Sequence, residues 1–257
     1  MKNYPSGTRV LKEIKRLERY LDNLKMIPAT HRYRNAVILA LLSKALTIAR
    51  AICLVVDRGF PGEAFGMTRT LIEIYFCVRY IGNKDTEERA ETYVKYQARV
   101  RKEWQTVIMK FYPHIPVDTI SLDEEVEEAA KEFKNKAHWT GHGGQAKLMA
   151  LEEDTVELND QGEALKAEFD YDAIYFWTSH YVHVTVEALN EHATTPGEVF
   201  SVRARRGADK KRGRDALFNT LVFISKLFVV AFRAMNEEQP EPILQEIQKL
   251  MHQFADK

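Results

Sequence analysis

Apolar residues recur along this chain at intervals of three and four, and no stretch alternates with the period of two that a half-buried strand needs. In VLKEIKRLERYLDNL, Val10, Ile14, Leu17, Leu21 and Leu24 make one stripe, and Pro28 closes that helix. A long apolar helix is predicted from Ala29 to Asp57, followed by a turn at DRGFPGE. The pattern then predicts a helix from Gly62 to Tyr80, stopping at Gly82. The next starts at the acidic KDTEERA and runs through Tyr93, Val100, Trp104 and Val107 to Pro113. Ser121 and Glu124 have the spacing of a capping box, ahead of an acidic helix over 122–137. HWTGHGGQ is a glycine-rich loop before a short helix at about 145–153. A further helix is predicted from Asp172 to about His192, then a loop, TTPGEVFSVRARRGADKKRGR. Residues 214–235 are apolar nearly all round, which predicts a central helix, and an amphipathic helix ends the chain. The expected fold is all-α, a bundle of about eight to ten helices. Residues 1–28 are expected as a helical arm, peripheral or dimerising, and 29–257 as one bundle domain.

Composition narrows this picture. The chain has 257 residues, 45% of them hydrophobic, which is enough for a sizeable core. Lys+Arg and Asp+Glu both number 37, which excludes a protein coated in basic charge while leaving room for a local patch. Cys53 and Cys77 sit in apolar runs and read as small core residues of a reducing compartment. The N-terminus has no apolar core of a secretory signal. The two most apolar runs carry Lys44, Arg50 and Lys226, and a charge at mid-membrane costs roughly 2.5–3.5 kcal/mol. Both are therefore read as buried helices of a soluble, cytoplasmic protein without a membrane partner.

Candidate chemistry gathers in four places. The segment DYDAIYFWTSHYVHVTVEALN carries Tyr171, Tyr175, Ser179 and His183 at steps of four, a polar ladder in an apolar helix. Ile174, Trp177, Tyr181, Val184 and Ala188 form an apolar arc opposite, and Val182, Val186 and Leu189 add apolar groups on the ladder's own side, so the ladder is expected to be buried and its polar atoms to need partners. It is either a satisfied core network or the setting of a general acid–base histidine, His183, oriented by a hydroxyl. In GMTRTLIEIYFCVRY, Arg69 and Glu73 are an i,i+4 ion pair on an otherwise apolar helix. That pair is either structural or an anion-binding guanidinium held by its carboxylate. KAHWTGHGGQA places Trp139 and His142 in a loop that either plugs the core or offers backbone to an anion. Arg203, Arg205, Arg206, Lys210, Lys211, Arg212 and Arg214 make a basic segment, either solvated or holding phosphates of nucleic acid. No cofactor is expected. His180, His183 and Glu187 do not share a helix face, and no di-iron or HExxH pattern occurs, so no metal is expected either.

RTLIE, HWTG before a short helix, and Y-x3-Y-x3-S-x3-H together resemble a family of bacterial all-helical proteins described only as a domain of unknown function. The resemblance spans about residues 31–235. It rests on Arg69, Glu73, Trp139, Gly141, Tyr171, Tyr175, Ser179 and His183, and it implies no activity. The pattern is also distantly similar to the HEPN group of helical bundles, many of them metal-independent ribonucleases of toxin and antiphage systems. That group uses R-x4-6-H on one helix. This sequence has no such motif, so Arg69 and His183 would have to meet from separate helices.

Two expectations follow. One is a metal-independent phosphodiesterase or ribonuclease, an effector of bacterial stress, toxin or antiphage systems. In it His183 is the acid–base group, Arg69 stabilises charge, Glu73, Tyr175 and Ser179 orient them, and the basic segment holds RNA. The other is a non-catalytic helical module that binds a partner protein, such as one encoded in the same operon, or a small anionic ligand. A homodimer through the stripe of residues 10–24 is expected in either case.

Overall fold

The computed structural model describes residues 5–24, 32–114, 131–133, 138–140, 149, 170–183, 193–194, 201–202 and 210–255. Among them lie helices α1 (Gly7–Asp22), α2 (Arg32–Asp57), α3 (Pro61–Asn83) and α4 (Thr86–Phe111). A turn of π-helix, Asp170–Tyr175, leads directly into α5 (Phe176–Val182). A two-residue antiparallel pairing of Ala193–Thr194 with Ser201–Val202 precedes α6 (Lys210–Met235) and α7 (Glu241–Ala255). The fold is all-α, as the periodicity predicts. The acidic helix expected over 122–137 and the short helix expected at 145–153 lie almost wholly outside the described residues.

The centre of the bundle is α3 packed on α6, with α2 against both. Leu71, Ile72, Tyr75, Phe76 and Val78 of α3 and Leu221, Phe223, Ile224, Leu227, Phe228 and Phe232 of α6 are buried. Gly82 explains how close the two helices come. A Cβ there would stand 2.6 Å from the Cβ of Ala234. Glycine at this position admits the neighbouring helix, and α3 runs through it to Asn83 instead of stopping, contrary to the sequence expectation.

α1 is joined to the same core. Asp57, the last residue of α2, accepts hydrogen bonds from the Gly7 N–H and the Thr8 hydroxyl, both at 2.9 Å, and so caps the α1 N-terminus. Val10, Ile14 and Leu17 are fully buried, and α1 packs on α2, α7 and α6. The stripe expected to be open to a second copy is therefore used inside the chain. Glu87 of α4 does for α2 what Asp57 does for α1, accepting from the Tyr33 and Arg34 N–H groups at 2.9 and 3.1 Å.

Tyr33–Asp57 and Lys210–Met235 are long and apolar enough to cross a membrane by length and composition. Both lie within the bundle, with Ile38, Leu42, Ile52, Leu221 and Phe228 packed against other helices. The second begins at Lys210 and not at 214, so Lys210, Lys211 and Arg212 are the first turn of α6 where a loop is expected.

Gly82→Ala is expected to destabilise the protein by about 1–3 kcal/mol through overpacking, despite the better helix propensity of alanine. Adding Ala234→Gly should recover part of that loss. Urea denaturation of the single and double variants measures both steps.

Candidate functional site

α3 presents Arg69, Glu73 and Cys77 at steps of four, with Thr70 and Ile74 beside them, on one face. This face lines a cavity of about 540 Å³. The π-turn contributes Tyr171 and Tyr175, α4 contributes Tyr93 and Gln97, and Leu41, His138, Trp139 and Met149 complete the lining. The rim is formed by the exposed Thr70 and Gln97, and the floor by the buried Ile74, Cys77, Trp139 and Met149.

At the mouth, one guanidinium joins two helices. Arg69 Nε donates to Glu73 Oε1 at 3.0 Å, and Nη2 donates to the Tyr175 hydroxyl at 3.0 Å. Nη1 lies 2.9 Å from Nε2 of His183. The Tyr175 hydroxyl in turn donates to Glu73 Oε1 at 3.1 Å. A guanidinium has no lone pair to offer, so the contact with His183 requires Nε2 to accept and places the imidazole proton on Nδ1. Arg69 and Glu73 are not a buried pair, as the apolar helix around them suggests. Their side chains are 19% and 41% exposed, and His183 is exposed.

The local fold explains this placement. A π-turn inserts an i→i+5 step and shifts the phase of every later residue. Tyr171 and Tyr175 stack at 5.2 Å with an 18° interplanar angle, and both face the cavity. α5 ends at Val182, because His183 is extended (φ −88°, ψ 142°), and the remainder of the helix expected to about His192 lies outside the described residues. That turn swings the His183 ring back to Arg69. The shift also corrects the expected apolar arc. Trp177 is 54% and Phe176 56% exposed, while Ile174 and Tyr181 are half-buried. Ser179 does not join the cluster, since its hydroxyl bonds back to the Tyr175 carbonyl at 2.7 Å. Trp139 is buried, edge-on to Tyr80 and Tyr93, which accords with a core plug. The Arg212 guanidinium lies 4.7 Å over the Tyr181 ring, two residues before His183, while Lys210 and Lys211 are exposed. His142, Arg203, Arg205 and Arg206 lie outside the described residues.

Electrostatics sorts the groups. Burial lowers the Arg69 guanidinium, but Tyr175 and Glu73 more than offset it and hold it above its ordinary value. Burial, then Glu73, raises the Tyr175 phenol against the pull of Arg69, so the hydroxyl stays protonated at neutral pH. Burial pushes the Cys77 thiol up to about 12, which leaves no thiolate nucleophile on the cavity floor. Burial lowers His138 to about 4.

A buried ion pair that the sequence reading missed anchors the π-turn. Lys226 of α6 donates to both carboxylate oxygens of Asp170, at 2.8 and 2.6 Å. Burial raises the Asp170 carboxyl, and Lys226 and Arg79 pull it back without cancelling the rise.

A family model matches residues 35–199, more than half of the chain. The chain belongs to DUF5677, a family of unknown function. No curated protein and no solved structure matches it. The DUF5677 match contains Arg69, Glu73, Trp139, Tyr171, Tyr175 and His183, whereas α6 and its basic first turn fall beyond it. In this DUF5677 chain Arg69 and His183 meet from α3 and the end of α5, unlike the single-helix pair of the HEPN group.

Lys226→Met leaves the Asp170 carboxylate buried without its cation and should cost about 3–5 kcal/mol. Adding Asp170→Asn should return most of it, as read by chemical denaturation. His138 gives a pH dependence. Its folded value of about 4 lies below the unfolded value of 6.5, so stability present above pH 6.5 is lost as pH falls toward 4. The urea midpoint should drop across that window, and His138→Gln should flatten the drop.

Proposed function

We propose that the protein cleaves RNA without a metal, at the Arg69–His183 pair. One observation carries this reading. A base-competent imidazole and an anion-binding guanidinium, 114 residues apart in sequence, stand 2.9 Å apart at an exposed position beside a cavity. At that separation a single phosphate would be within reach of both. His183 takes the 2′-hydroxyl proton, and the 2′-oxygen attacks the adjacent phosphorus. The bond to the 5′-oxygen breaks, water protonates that oxygen, and the products are a 2′,3′-cyclic phosphate and a 5′-hydroxyl. Arg69 stabilises the charge on the non-bridging oxygens. Glu73 and Tyr175 hold its guanidinium in place.

In the ligand-free arrangement the Nε2 lone pair is occupied by Arg69. A phosphate oxygen is a charged acceptor and outcompetes the neutral imidazole for that N–H. Substrate binding and release of the base are then one event. The basic first turn of α6, placed against α5 through Arg212 and Tyr181, supports a polyanionic substrate. Free, buried Cys53 and Cys77 support a cytoplasmic setting, and an RNA-cutting effector of bacterial stress or defence is the role that fits.

A second reading is favoured by the fact that His183 is not among the cavity-lining residues. On that reading the cavity holds a small anionic ligand and nothing is cleaved.

Single-stranded RNA incubated with the protein in EDTA should yield cyclic-phosphate ends, and DNA of the same sequence should stay intact. His183→Ala should slow cleavage by about 10²-fold or more while keeping the wild-type circular dichroism. Intact RNA, or unchanged cutting by folded His183→Ala, rejects the proposal.

A further inference from the structure

We infer that the cavity behind Arg69 is a nucleobase pocket, which takes one unpaired base while its phosphate sits at the Arg69–His183 mouth. This rests on the phosphate reading of that mouth and adds what the site recognises. Tyr93, Trp139, Tyr171 and Tyr175 come from three separate parts of the chain, and all four rings line one space of about 540 Å³. That volume lies within the range of pockets for small ligands. Rings that enclose space, and do not simply fill it, suit a flat aromatic guest. Stacking is the interaction that proteins use on unpaired bases.

Polar groups then choose among flat guests. Glu73 uses Oε1 for Arg69 and Tyr175, and Oε2 has no hydrogen-bond partner among the described residues. A carboxylate is an acceptor only, so it matches a ring whose edge carries N–H groups. Gln97, exposed at the rim, brings an amide that both donates and accepts. An aliphatic or purely hydrocarbon guest would bring no donor to the second oxygen of Glu73. The lining also carries the groups that a nucleotide calls for. Buried apolar residues form the floor, the Gln97 amide lies at the rim, and Glu73 stands beside the Arg69 guanidinium, which uses three of its five N–H groups.

The test is titration calorimetry of the full chain with GMP, AMP, CMP, UMP, ribose 5-phosphate and inorganic phosphate. At least one nucleotide should bind roughly tenfold or more tightly than ribose 5-phosphate. Tyr171→Leu and Glu73→Gln, each shown folded by circular dichroism, should remove that margin. Nucleotides that bind no better than the sugar phosphate overturn the inference, as does a margin that survives both substitutions. A short RNA with one abasic position separates a base in a strand from a free nucleotide. Slower cleavage at the abasic position supports the pocket acting on RNA. Equal cleavage at abasic and base-bearing positions overturns the pocket and leaves the cleavage reading standing. Intact RNA with a clear nucleotide margin does the reverse.

Discussion

The guanidinium of Arg69 holds the site together. It bonds Glu73 on its own helix, Tyr175 at the end of the π-turn, and His183 beyond α5. Two of those three partners lie more than a hundred residues away in sequence. The hydrogen bond to the carboxylate is charge-assisted on both sides, and the other two are charge-assisted on one. What makes the arrangement firm is the helix that carries it. α3 is deeply packed, with Leu71, Tyr75, Phe76 and Val78 buried among α2 and α6. A side chain on such a helix inherits its position from the core. The other half of the site is fixed by Lys226, which pins Asp170 at the start of the π-turn. The central pair of helices, α3 and α6, therefore places both sides of the mouth.

Much of this is visible in the sequence, and the limits have physical causes. Period-3.6 patterning marks α1, α2, α3, α4, α6 and α7 because each buries a wide apolar stripe. The Arg69–Glu73 pair is legible because residues four apart on one helix must be neighbours. That a cation on an apolar helix needs partners points to the tyrosine ladder, and the ladder supplies two of them, Tyr175 and His183. The π-turn is where this reasoning stops. Periodicity assumes constant phase, and one wider turn shifts that phase and leaves Phe176 and Trp177 facing outward. The Asp170–Lys226 pair is a long-range contact without a spacing to reveal it. Tyr93 shows a subtler limit. Its place in an apolar stripe is readable, but a stripe residue facing packed side chains and one facing a cavity have the same period.

The start of α6 raises a different point. Lys210, Lys211, Arg212 and Arg214 crowd the positive end of a 26-residue helix that has no acidic residue in its first turn. Each such charge is unfavourable there by a few tenths of a kcal/mol to about 1 kcal/mol. Arg214 is relieved by Asp215 at 3.2 Å and Arg212 by the Tyr181 ring. Lys210 and Lys211 are exposed to solvent. Arg212 ties this turn to Tyr181 of α5, two residues before His183 in the chain. In a chain whose net charge is zero, this local excess of positive charge is set by position and not by overall composition.

The resting network also bears on how the site can be both stable and reactive. Arg69, Glu73, Tyr175 and His183 bond one another, so the mouth forms without a ligand and leaves no buried charge unpaired. The bond that must open is the weakest of the set, a guanidinium N–H to a neutral imidazole at an exposed position. Exchanging that acceptor for an anionic oxygen is favourable, and it frees the one lone pair that could take a proton. The bonds to Glu73 and Tyr175 remain, so the guanidinium need not move to bind. On the proposed reading, His183 would be held in check by the same group that recruits the substrate, and the bond strengths at Arg69 would set which of the two arrangements is populated.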